Sequence, residues 1–327
     1  MLMIKNIAIA AVSVCTLSAC VTPQTQSQTA FPNHHPFVFP TSQAAADFMG
    51  GEDSFTMALT GADLELRFGD GAADYRQAAR NAVRPWSAEE REKLEAASLI
   101  TAQLFRDHQV SLPVPDEVLL IKSTGREEGG AGNYTRGNAM IIPENQMDRT
   151  SERFVGVFAH ELLHVATRTD PSLRDDLYAV IGFYACAPIQ LTPDLESARI
   201  TNPDAFHHEY CIDVSLNGET FPVIPVTMLM PGDENTESIF ERIAIRLFRV
   251  SPKGTLVRGT DGEPLHYSLG EVTGFFEQVG QNTDYIVHAE EIIADNFSML
   301  IRNRTDVPNP EILTGIQSVL SHTREAR

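Results

Sequence analysis

Within the stretch VFAHELLHVATRTD (157–170), two histidines and a glutamate stand among residues that otherwise favour a buried helix. His160 and His164 are four positions apart, so a helix puts them on one face, one turn above the other. At that spacing two imidazoles reach a common ion at about 2.0–2.1 Å. Glu161 falls about 100° round the same helix, where it can act on a water beside the ion without being a ligand. Burying three such groups is costly unless each finds a partner. Gly156, one turn before His160, would leave room for close packing beneath the motif, the alternative being a glycine merely tolerated there.

The flanks carry the resemblance. Val157 precedes the first histidine by three, Leu162 and Leu163 are uncharged, and Val165 and Ala166 are apolar. VFAHELLHVAT resembles the active-site helix of zincin metallopeptidases, in particular the thermolysin-like gluzincins. The resemblance implies a Zn2+ cofactor held by His160, His164 and a glutamate from a later helix, in an ExxxD pattern whose aspartate orients a ligand histidine. Three such patterns occur, Glu144/Asp148, Glu209/Asp213 and Glu291/Asp295, and only the last lies in a convincing helix after the motif. There His288, Glu291, Asp295 and Ser298 form a polar stripe on an apolar helix, which needs something polar to face. Glu291 is read as the third ligand and Asp295 as the acceptor for the outer N–H of His160 or His164. Glu290, or a salt bridge unrelated to metal, is the alternative. The implied chemistry is peptide hydrolysis with Glu161 as general base. Tyr285 and His288 are candidate oxyanion donors, with His266 and Tyr267 behind them. The family also pairs extended substrate with a strand edge before the active helix; Asn138-Ala139 in GNAMIIPE is the matching pair here.

The elements that must position these groups are partly readable. Ser87 and Glu90 form a capping-box pattern that opens a helix over RPWSAEEREKLEAASLITAQLFRDH. DEVLLIKS (116–123) and NAMIIPE (138–144) read as strands separated by a glycine-rich loop. The motif helix runs from Ser151, taken as N-cap, to about Arg168, with Asp170-Pro171 ending it. DLELRF (63–68) alternates like a strand, Asn217-Gly218 marks a hairpin, RIAIRLFRV (242–250) reads as a strand, and DYIVHAEEIIADNFSMLIRN as a second apolar helix. The expected fold class is α+β and zincin-like: a small mixed sheet packed on the buried HExxH helix, then a mainly helical lower part. Residues 171–282 are read as an insertion containing the hairpin, and 46–327 as one metallopeptidase-like domain.

The first residues, MLMIKNIAIAAVSVCTLSAC, have one lysine and an apolar run too short to span a bilayer comfortably. LSAC resembles the lipobox of bacterial lipoproteins, which implies a signal peptide over 1–19 and lipidation of Cys20; a plain secretory signal or an uncleaved anchor is the alternative. The Gln/Thr/Pro-rich segment that follows reads as a flexible tether over 20–45. The resemblance implies a periplasmic, lipid-anchored protein, by its sorting pattern at the outer membrane. Of the four cysteines, Cys186 and Cys211 then remain, and in an oxidising compartment they are expected to pair, with zinc ligation the weaker alternative because no CxxC spacing is present. With 25 basic and 44 acidic residues the net charge is −19, which argues against nucleic acid as a partner. The expected partner is a peptide or protein substrate, with membrane contact through lipid only. An amidase acting on cell-wall peptides and a non-catalytic envelope binding protein are the other readings.

Overall fold

The structure, a computed structural model, describes residues 28–230, 242–304 and 306–321. Cys20 and residues 1–19 lie outside the described residues. The chain enters the fold earlier than the expected tether allows. Strand β1 (Gln28–Phe31) pairs antiparallel with β4 (Leu112–Pro115), and β2 (Phe37–Val38) pairs parallel with β5 (Val118–Ser123). Phe31 and Phe37 are buried in the main core, so 28–45 is not a tether.

Four short helices follow, α1 (Ser42–Met49), α2 (Ser54–Ala58), α3 (Gly61–Phe68) and α4 (Tyr75–Ala82). The third replaces the strand expected at 63–68. Thr60 and Asp63 cap each other reciprocally and Gly69 closes the helix in the left-handed region at φ 71°, signals that override a short alternation. After β3 (Val83–Arg84), α5 (Ala88–Asp107) starts at the Ser87/Glu90 capping box.

The first sheet is mixed, in order β2-β5-β7-β6, with β3 paired antiparallel to β5. Its β6 is Tyr134–Arg136 and its β7 Ala139–Pro143. Helix α6 (Ser151–Thr169) carries the HExxH motif. Its N-cap is Thr150 rather than Ser151, and Asp170 ends it while capping α7 (Pro171–Ala179). Phe154, Phe158, Leu162 and Leu163 are fully buried in the main core, each such side chain contributing about 1.5–3 kcal/mol. The helix is therefore central, as an all-round apolar helix must be.

The segment 171–282 builds a second, all-antiparallel sheet in order β12-β11-β10-β9-β8. Its strands are β8 (Tyr184–Ala185), β9 (Tyr210–Leu216), β10 (Glu219–Leu229), β11 (Ile243–Arg249) and β12 (His266–Tyr267), with α8 (Pro193–Ser197) between the first two. The hairpin turns at Asn217 and Gly218, both with positive φ. Cys186 and Cys211 are disulfide-bonded across the β8–β9 edge. Helix α9 (Phe275–Val279) leads to α10 (Ala289–Ile301), which packs along α6, and α11 (Pro310–Ser321) completes the helical side. Among the described residues no helix is long and apolar enough to cross a membrane.

Candidate metal centre

The two central helices bring the motif and the glutamate stripe together. His160 Nε2 lies 3.1 Å from Glu291 Oε2, and His164 Nε2 lies 3.5 Å from the same oxygen. The ligating atoms of His160, His164 and Glu291 all fall within 4.8 Å of one another. A tetrahedral ion at ordinary Zn–N and Zn–O distances spaces its donors about 3.3–3.5 Å apart, so this triad fits a small divalent cation. Among the described residues, two buried atoms beside it have no hydrogen-bond partner, His164 Nε2 and Glu161 Oε2. An orphaned lone pair of that kind is expected where a cation belongs.

The outer nitrogen of each imidazole is held by its own carboxylate. His160 Nδ1 is 3.1 Å from Asp295 Oδ1, and Asp295 Oδ2 accepts from Thr283 Oγ1 at 2.6 Å. His164 Nδ1 is 2.9 Å from Glu290 Oε1, which also accepts from Thr167 Oγ1 at 2.5 Å, while Glu290 Oε2 accepts from Tyr178 OH at 2.6 Å. This fixes both rings with Nε2 toward the centre. Glu290 is thus placed as the brace of His164 and Glu291 at the shared position. Asn202 donates to Glu291 Oε1 at 2.6 Å, leaving Oε2 as the oxygen toward the imidazoles.

The electrostatics follow from this crowding. Burial would lower the His160 pKa, but the hydrogen bonds to Asp295 and Glu291 push it up to about 10. His164 is likewise raised well above its usual value, against burial, by Asp204, Glu291 and Glu290. Burial acts first on Glu291 too, and the two imidazoles override it to hold that carboxyl well below the usual range. Burial and the neighbouring Asp204 push Glu161 up to about 8. The cluster calls for two positive charges, which two protons or one divalent ion can supply.

A cleft of about 370 Å³ opens onto His160 and Glu161 and is also lined by Asp204, Tyr285 and Asp295, a volume within the range of small-ligand sites. Tyr285 thus stays a candidate at the centre. His288 does not reach this cleft. It is the N-cap of α10: Nδ1 accepts from Glu290 N at 3.0 Å and Nε2 donates to the carbonyl of His207 at 3.1 Å. Both ring nitrogens are used, and burial lowers its pKa, so it positions the glutamate helix instead of serving an oxyanion. His266 and Tyr267 lie on β12, at the far edge of the second sheet.

The strand carrying Ala139 is not a sheet edge. β7 pairs with β5 on one side and β6 on the other, and the Asn138 side chain donates to the Glu117 carbonyl at 2.8 Å. The Asn138-Ala139 expectation is corrected: Ala139 is paired with Leu119 on one side and Arg136 on the other, so this point of the strand offers no open edge to substrate. On this side of the sheet the edge strand is β6. Its Thr135 N–H donates to Asp204 Oδ1 at 2.7 Å, and Arg168 donates to Thr135 Oγ1 at 2.9 Å.

Asn202 and Asp204 come from the loop between α8 and β9, in the segment read as an insertion. A carboxylate oxygen of Asp204 lies within 4.8 Å of ligating atoms of Glu161 and His164. No local pattern around TNPDAF marks these two residues. Glu290 was visible as an acidic neighbour of Glu291, but its role depends on which side of His164 it meets.

No known protein family, curated protein or solved structure matches the chain.

Proposed function

We propose that the protein is a zinc-dependent peptidase with a zincin-like, gluzincin-type centre. The carrying observation is the convergence of His160 Nε2 and His164 Nε2 on one oxygen of Glu291, at 3.1 and 3.5 Å, with the unpartnered Glu161 carboxylate beside them. The two-nitrogen, one-carboxylate donor set suits zinc. A zinc ion on this triad would supply the charge that polarises a peptide carbonyl and acidifies a water.

The residues do the rest. His160 and His164 present neutral Nε2 lone pairs because Asp295 and Glu290 hold their Nδ1 protons. Asn202 restrains Glu291 so that one oxygen faces the imidazoles. Glu161 takes a proton from water in the cleft and returns it to the leaving amine. Its environment favours such a shuttle, since burial brings its carboxyl nearer to neutrality. Tyr285 is the candidate donor to the developing oxyanion. The Cys186–Cys211 bond suits an oxidising compartment, which supports the proposed place on the periplasmic side of the envelope, anchored through lipid on Cys20.

Glu161→Gln tests the reading. Peptide hydrolysis is expected to fall by about 10²–10⁴-fold, with zinc retained at about one equivalent. A variant as active as the parent removes the base, and a parent that binds no zinc removes the centre.

A further inference from the structure

The cleft has a second end, built of arginines. Arg149, Arg153 and Arg302 line it together with His160 and Asp295. In a chain of net charge −19, none of the three guanidinium groups has a hydrogen bond or ion pair among the described residues. Glu128, which lines the same cleft, is already taken by Arg67 at 2.8 Å and Tyr75 at 2.5 Å.

Two helices independently aim at this end. On α6, Arg153 precedes His160 by two turns. On α10, the stripe Glu291, Asp295, Ser298 continues to Arg302, the C-cap residue. The helices run antiparallel: His164 meets Glu290, His160 meets Asp295, and Gly156 accepts from Ser298 Oγ at 3.0 Å. Arg302 lies across Gly156, where an added Cβ would come within 2.9 Å of its Cδ and 3.2 Å of a terminal nitrogen. The missing side chain at Gly156 is what lets the guanidinium lie in the cleft. Arg153 sits in the first turn of α6, where the helix's own positive end disfavours a cation. Arg153 and Arg302 are solvent-exposed and share the cleft with the carboxylates Glu128, Glu161, Asp204 and Asp295, so the attraction they offer an anion is sensitive to salt.

Resting on the peptidase reading, we propose that the arginine end binds a carboxylate of the substrate, so that peptides with an anionic group about two to three residues from the scissile bond are preferred. Arg153 is seven positions from His160, a rise of about 10 Å, while the Arg302 guanidinium lies over Gly156, four positions or about 6 Å of rise from His160. An extended peptide covers those distances in about two to three residues. The carboxylate is either the peptide's C-terminus or an acidic side chain.

The experiment compares peptides that differ only in that group: free or amidated C-terminus, and internal Glu or Gln at the same distance. Cleavage by the zinc-loaded protein and binding to the Glu161→Gln variant are both measured. The free acid, or the internal glutamate, is expected to gain about 10–100-fold in kcat/KM and in affinity. The arm that shows the gain identifies the source of the carboxylate. Arg153→Gln with Arg302→Gln should erase the gain while cleavage of the amidated, glutamate-free peptide persists. High salt should erase it in the unaltered protein, which needs no variant to fold. Acid and neutral peptides cleaved within about twofold at low salt would overturn the proposal and leave the peptidase reading standing. Loss of zinc or of all hydrolysis would fail the peptidase reading, while the binding comparison still reports on the arginines.

Discussion

Glu290 offers the sharpest test of how the centre is held. Its carboxylate is buried and accepts from three side chains, His164 Nδ1 at 2.9 Å, Thr167 Oγ1 at 2.5 Å and Tyr178 OH at 2.6 Å. Glu290→Gln can keep the geometry: its carbonyl oxygen still accepts from His164 and Thr167, and the Tyr178 hydroxyl turns to accept from the new amide. What is lost is the negative charge that makes His164 a stronger donor. Removing an outer partner of a ligand histidine costs about 10–100-fold in metal affinity, or about 1.4–2.7 kcal/mol. Asp295 braces His160 in the same way, but its side chain is 30% exposed against 3% for Glu290. Water can replace part of what Asp295→Asn removes, so that variant belongs at the low end of the range. Glu290→Ala is a different experiment, because it strands two buried donors, His164 Nδ1 and Tyr178 OH, at about 1–3 kcal/mol each while Thr167 Oγ1 can still donate to the His164 carbonyl, and it threatens the fold. Zinc affinity is read by competition with a chromophoric chelator near neutral pH, and folding by thermal melts. A Glu290→Gln protein that stays folded and binds zinc as tightly as the parent would refute the bracing argument. Asp295→Asn losing more than Glu290→Gln would refute its ordering.

Other outcomes follow from the same contacts. With no ion, a folded His160 pKa of about 10 lies above the unfolded value of about 6.5. Its contribution to stability is then complete below about pH 6.5 and lost as pH rises through about 10. Zinc must displace protons from the imidazoles, so its affinity should climb by about tenfold per pH unit for each proton released. A zinc-induced melting shift that does not grow between pH 6 and 9 would contradict this. Gly156→Ala should fail to gain the roughly 1 kcal/mol of helix propensity that alanine offers, because the new Cβ meets Arg302 and Ser298; a melt showing the full gain would mean the helices are not close there. Reducing Cys186–Cys211, separated by 25 residues, should cost about 3.5 kcal/mol on the chain-entropy relation. Urea unfolding with and without reductant checks this, and an unchanged midpoint would set it aside.

The motif helix, the Ser87 capping box and the Asn217-Gly218 hairpin were legible because each is a local signal acting within a few residues. So was the Glu291/Asp295 stripe, since helical spacing alone aligns it. Strand order was not. β7 reads as a substrate edge until β6 is known to flank it, and β6 is a three-residue strand beside a glycine-rich loop. Residues 63–68 show the opposite failure. Leu64, Leu66 and Phe68 alternate, yet the Thr60/Asp63 cap was present in the sequence and decides the matter, aided by Asp63 accepting from Arg67 and Thr201. The 28–45 stretch looked like linker, although Phe31 packs edge-on against Phe105, and Phe37 against Phe158 of the motif helix. Asn202 and Asp204 reach the centre from far along the chain, and nothing in their own neighbourhood could announce it.

The cluster could in principle be an ionic network that needs no metal, and the geometry weighs against that. A doubly protonated imidazole gains from bonding both nitrogens. His160 does so, with Asp295 and Glu291 each at 3.1 Å. His164 does not: Nδ1 is held by Glu290, while Nε2 is buried and unbonded at 3.5 Å from Glu291. A protonated Nε2 left that way would forfeit about 1–3 kcal/mol. A neutral ring with its lone pair toward a cation has no such deficit. The two states nonetheless carry the same charge, since two protons equal one divalent ion. Zinc uptake is therefore expected to be matched by proton release from the imidazoles, with little change in net charge.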